Sequence, residues 1–104
     1  MARGALLIES HPSSPDRADE FSKWYEEVHI PEVLALEGFV SARRLRALDG
    51  NGPFISLFEI EGDDLHAVAR GLFSAARNGT FAMSDSMQMD PPPVMRFLET
   101  TTKH

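Results

Sequence analysis

Residues 39–61 read Phe39-Val40-Ser41-Ala42-Arg43-Arg44-Leu45-Arg46-Ala47-Leu48-Asp49-Gly50-Asn51-Gly52-Pro53-Phe54-Ile55-Ser56-Leu57-Phe58-Glu59-Ile60-Glu61. The centre, Asp49-Gly50-Asn51-Gly52, is a hairpin signal, because glycine and asparagine accept the positive φ that such turns require. β-branched and aromatic residues on either side suit a pleated surface. The stretch therefore predicts a strand over Phe39–Leu48 and an antiparallel partner over Pro53–Glu61.

Helical patterns flank this hairpin. Leu65, Val68, Ala69, Leu72, Phe73 and Ala76 follow helical spacing. They predict a helix over Asp63–Asn78, capped by Asp63 and stopped at Asn78-Gly79. Upstream, Phe21, Trp24, Tyr25 and Val28 mark the buried face of a helix over Pro15–His29. A serine, Pro15 and Asp16 supply its start. Pro31 has no backbone N–H and disfavours helical geometry at Ile30. A kink is expected there, or a short second helical piece over Pro31–Leu36 ending at Gly38.

At the outer ends, Arg3–Glu9 and Val94–Thr100 read as strands, and Thr80–Pro93 as a loop. The order is β-α-β-β-α-β. Right-handed crossovers place both helices on one face of a four-stranded antiparallel sheet. The expected class is α+β, a ferredoxin-like βαββαβ unit forming a single domain over residues 1–104.

The strands are apolar on both alternations. Leu6 and Ile8 oppose Ala5 and Leu7; Phe54, Phe58 and Ile60 oppose Ile55 and Leu57; Val94 and Leu98 oppose Met95 and Phe97. A sheet with one wet face should alternate apolar with polar. Each such side chain left in water forfeits roughly 1.5–3 kcal/mol. Pairing two copies through the sheet removes that loss, so a homodimeric α/β barrel is expected. A monomer with several exposed apolar residues is the other possibility.

The 104 residues carry a formal net charge of −6 and no cysteine. An acidic chain lacks the basic face that nucleic acid requires and is not attracted to anionic membranes. Without cysteine there can be no disulfide, Fe–S cluster or thiolate zinc site. No segment has the apolar length of a membrane span. Met1–Ser10 lacks a signal-peptide pattern, so a cytoplasmic location is expected. There is no phosphate-binding glycine loop and no G-x-S-x-G motif. No His-x₃-His spacing suggests a metal, and none is expected.

The stretch Phe21-Ser22-Lys23-Trp24-Tyr25-Glu26-Glu27-Val28-His29-Ile30-Pro31, followed by Glu37-Gly38-Phe39 and Ala42-Arg43-Arg44, resembles the dimeric α/β barrel superfamily. It is most similar to the EthD-like branch, where a Trp-Tyr…His-x-Pro…Gly-Phe pattern recurs. The motif covers about the first half of the chain; the second half agrees in element order. The resemblance implies a pocket between sheet and helices or within the barrel. That superfamily includes cofactor-free monooxygenases, polyketide cyclases, muconolactone isomerase and haem enzymes, so it does not select a reaction. No proximal-ligand context for haem is present, and no cofactor is expected.

Tyr25, His29 and Glu32 fall at helical spacing. A phenol, imidazole and carboxylate in contact would form an acid–base relay: Glu32 orienting the imidazole, His29 moving a proton, Tyr25 polarising an oxygen. Equally, His29 could serve the helix end by bonding a free carbonyl. Trp24 is the single tryptophan, fitted to wall a flat ligand or to fill a core or interface. Phe21 and Phe58 are further candidate walls.

Alternation sends Arg44 and Arg46 to one face and Arg43 to the other. One of these three could bind a ligand carboxylate or enolate, with Arg44 the candidate substrate-binding residue; surface pairing or a bridge to Glu59 is the alternative. Met87 belongs to a Met-rich segment that suits either a pocket lid or a dimer contact. Arg96, His11, His66 and His104 are weaker candidates. The function expected is a small cofactor-independent enzyme acting on a hydrophobic, aromatic or polyketide-like molecule by His-assisted proton transfer. A non-catalytic binding or accessory protein and a purely structural dimer module are the alternatives.

Overall fold

The computed structural model describes residues 1–104. Strands β1 (Ala2–Ser10), β2 (Phe39–Leu45), β3 (Phe54–Gly62) and β4 (Val94–Glu99) form one sheet in the order β2-β3-β1-β4. Every neighbouring pair is antiparallel. The first helical layer begins with a 3₁₀ turn (Pro15–Arg17). It continues as α1 (Ala18–Trp24), a π-helical turn (Tyr25–His29) and α2 (Ile30–Leu34). The second layer is α3 (Leu65–Arg77). The expected α+β architecture and element order are present.

Several boundaries move, each for a local reason. The β2–β3 hairpin is wider than the tight turn expected, and β2 ends at Leu45. Gly50 and Gly52 adopt φ of 78° and 94°, and Asn51 N–H donates to Asp49 Oδ1 at 2.9 Å, closing an Asx turn inside a longer loop. Arg46 and Leu48 thus lie beyond the sheet. Asp64, not Asp63, caps α3, accepting from His66 N–H at 2.9 Å. Its buried stripe is Val68, Leu72 and Ala75; Phe73 is 41% exposed and touches Phe97 by a ring edge.

Pro31 disturbs the first helix, as expected, and the short piece α2 follows it without a gap. The Pro31 ring would press on the carbonyl of Glu27 one turn earlier. The backbone answers by widening that turn: Ile30 N–H reaches Tyr25 O, five residues back. The helix runs on through Val33, which is buried.

The main core lies between sheet and helices. It gathers Leu6, Ile8, Val33, Phe39, Phe58, Ile60, Val68 and Leu72. A second cluster, Phe21, Tyr25 and Met87, sits beneath the π turn with Trp24, Ile30 and Phe54 against it. The opposite sheet face carries no helix. Leu7 pairs with Leu57, Ile55 with Leu45, and Ala5 with Leu98. On that face Val40, Leu45, Val94 and Leu98 are exposed. No helix is long and apolar enough to cross a membrane.

Candidate functional site

The π turn decides which side chains meet. A wide turn shifts the residues before it relative to those after it, and π turns inside α-helices often occur at functional positions. Here Trp24, Tyr25 and His29 come together at one level. The His29 ring stacks on Trp24, with centroids 4.9 Å apart and planes 18° apart. The edges of Tyr25 and Phe81 close it in at 5.1 and 5.4 Å.

His29 Nδ1 is buried and has no hydrogen-bond partner. Burial among rings holds the imidazole below its ordinary pKa, and the Glu32 charge opposes that only in part. The resting form is neutral near pH 7, as a proton acceptor requires.

Glu32 lies near enough to act on His29 through its charge, but its hydrogen bonds go elsewhere. Both its oxygens accept from Ala82 N–H at 3.1 Å. Trp24 Nε1–H donates to Ala82 O at 2.8 Å. One residue of the 80–93 loop is thus gripped on both sides, which seats Phe81 over His29.

The loop is anchored further along. Ser13 N–H bonds Ser86 O, Gln88 N–H bonds His11 O at 2.9 Å, and Pro12 forms a bridge with Met87. Arg17 joins Glu20 at 2.6 Å and Asp85 at 2.7 Å, holding both carboxyls below their usual range. Met87 is 7% exposed and packs on Phe21 and Tyr25.

Tyr25 points the other way, toward the sheet. Its side chain is 1% exposed, and burial pushes the phenol above its ordinary pKa. The hydroxyls of Ser56 and Ser10 and the Arg44 charge pull it back in part. The guanidinium of Arg44 is stacked among rings, 4.9 Å from Tyr25, 5.1 Å from Phe54 and 5.6 Å from Phe21. It pairs with Glu26 at 2.8 Å, not with Glu59.

Seven of the eight candidates therefore surround the π turn: Phe21, Trp24, Tyr25, His29, Glu32, Arg44 and Met87. Phe58 does not. It is fully buried in the main core, edge-on to Phe39 at 6.1 Å. Phe81, Ser10 and Ser56 join the site, although sequence alone does not single them out. Both serines occupy strand positions on the same alternation as Ile8 and Phe58, where a hydroxyl must enter the interior.

Four of the five principal cavities lie elsewhere, and the fifth meets the site at Ser10 alone. The five occur by α3 and β4, on the helix-free sheet face, along α3, beside Gly38, and at the Pro91-Pro92-Pro93 segment. Nowhere do three His, Asp or Glu side chains converge as a metal site would need. No family model matches the chain, and comparison with curated proteins and solved structures found no similar protein.

Proposed function

We propose that this chain is a homodimeric, cofactor-independent enzyme of the EthD-like dimeric α/β barrel kind. It moves a proton on a hydrophobic small molecule that spans both sides of the π turn, with His29 as the base on the Phe81 side and Tyr25 polarising a substrate oxygen from the sheet side. The supporting observation is His29 itself: a neutral imidazole between Trp24 and Phe81, with an unpaired buried Nδ1. A flat substrate would take the place of Phe81 when Ala82 leaves Trp24 and Glu32. The same rings would then wall it. Pairing through the helix-free sheet face completes the barrel.

Deuterium exchange into an aryl 1,3-diketone in D₂O tests the reading without the natural substrate being known. Wild-type protein should accelerate exchange, and His29→Ala should remove about a hundredfold or more of that rate. Tyr25→Phe should lower it with a smaller effect. Exchange indifferent to both substitutions sinks the proposal.

One observation favours the purely structural dimer module: the rings already close over His29, and none of the principal cavities opens onto it. A pH profile separates catalysis from the alternatives. Catalysis gives a rate that rises as His29 deprotonates, apolar binding stays flat, and a structural module gives neither turnover nor binding.

A further inference from the structure

The guanidinium of Arg44 is only half used. Nη1 donates to Glu26 Oε2 at 2.8 Å. Nε and Nη2 are buried and have no partner. Their N–H groups share one edge of the planar guanidinium, the edge that meets both oxygens of a carboxylate at once. The side chain is 15% exposed, and its plane is fixed by the rings of Phe21, Tyr25 and Phe54.

The surroundings repeat the pattern. Ser56 is the cross-strand partner of Arg44. Ser10 lies on the neighbouring strand, paired with Phe54. Both are 1% exposed, and both hydroxyls are buried without a partner. Tyr25 hydroxyl lies beside the two serines and is held protonated by burial. The two serine hydroxyls have the Tyr25 hydroxyl as their polar neighbour, whereas Arg44 Nε–H and Nη2–H have none, and a buried donor that cannot fall back on water is costly unless something meets it. Ser10 also lines a cavity of about 150 Å³ bounded by His11, Pro53 and Pro91-Pro92-Pro93.

We propose that the free edge of Arg44, with Ser10, Ser56 and Tyr25, is a binding site for the carboxylate of a flat, apolar monoacid. A planar two-oxygen anion matches the fork. A dianion does not suit it, since Arg44 already shares its charge with Glu26. The three rings around the guanidinium accept an aromatic or alkenyl remainder. The inference rests on the proposed function only in taking the π turn as the place where substrate sits, and binding can be read without any turnover.

Calorimetric titration of wild-type protein with benzoate and, separately, with its neutral analogue benzamide is the direct test. Benzoate should bind about tenfold or more tightly than benzamide, and the Arg44 Nε–H resonance should shift as benzoate is added. Arg44→Lys keeps the charge but loses the fork, and should weaken benzoate about tenfold. Arg70→Met removes an exposed charge on α3 and should change nothing. Absence of benzoate binding, equal binding of the two probes, an unmoved Arg44 resonance, or full affinity in folded Arg44→Lys overturns the proposal. If Arg44→Lys does not fold, the wild-type comparison and the resonance decide. Benzoate binding as expected alongside His29-independent proton exchange would defeat the catalytic reading and leave this one standing.

Discussion

His29 lies flat against Trp24, ring on ring, at 4.9 Å. Stacking on the indole face buries the imidazole without giving Nδ1 a hydrogen-bond partner. The same contact explains both the neutral state of His29 and its place in the proposed chemistry.

Stability should therefore depend on pH. Burial lowers the His29 pKa below 6.5 in the folded state, with Glu32 opposing. The unfolded chain then binds more protons than the folded one in the window beneath 6.5. Stability supplied by the neutral ring is present above the unfolded pKa and is lost as pH falls through the folded one. Urea unfolding between about pH 7.5 and 5 should show wild type weakening on acidification and His29→Gln weakening less. Parallel curves for the two proteins would contradict this.

Trp24 also holds the loop. Trp24→Phe keeps most of the ring area but removes the N–H that meets Ala82 O at 2.8 Å. The loss should be about 1 kcal/mol. Amide exchange at Phe81 and Ala82 should quicken, while that of β1 and β3 stays within the global change. Glu32→Ala should produce the same local loosening, because Ala82 N–H loses its acceptor.

Sequence reaches the architecture because the fold is announced by periodicity. The hairpin over Phe39–Glu61 and the stripe on α3 each leave one arrangement that buries their apolar face. It also reaches Tyr25, His29 and Arg44, since polar groups beside aromatic residues stand out. It does not reach the π turn, which is the backbone's answer to Pro31 and has no periodicity of its own. Without that turn, the partners of Glu32 and the closeness of Phe81 cannot be foreseen. Phe58 falls outside the site for a related reason. Alternation assigns it to the helix-covered face but does not say which of the two clusters lies above it. Ser10 and Ser56 carry a usable signal, a hydroxyl on an otherwise apolar alternation, which points to an interior polar partner.

Gly38 ties α2 to the sheet. Its φ is 91°, and a Cβ there would sit 2.7 Å from Val68 Cγ2 and 2.9 Å from Glu61 O. Gly38→Ala therefore meets backbone strain and a clash together, and should cost about 2 kcal/mol or more. Trimming the obstacle with Val68→Ala should not restore stability, because the strain and the Glu61 carbonyl remain. Urea midpoints at unchanged m-value would measure both.

The helix-free sheet face carries the last prediction. Leu7 and Leu57 face each other at its centre, with Ala5 and Ile55 beside them. Val40, Leu45, Val94 and Leu98 lie around them at 51, 43, 55 and 39% exposure. Charged groups, among them Arg3 paired with Glu61 at 3.9 Å, share the same face. An apolar centre with charges about it is how self-complementary interfaces are built, and a stable pair would bury about 1,200–2,000 Å² in total. Leu57→Lys places two like charges at the centre of such a pair while touching nothing in the helix-covered core. Sedimentation should find wild type at twice 11.6 kDa and the variant at the single-chain mass, with the same circular dichroism. A wild-type protein that sediments as one chain at all concentrations would leave the apolar face without a second copy and remove the barrel from the proposed function.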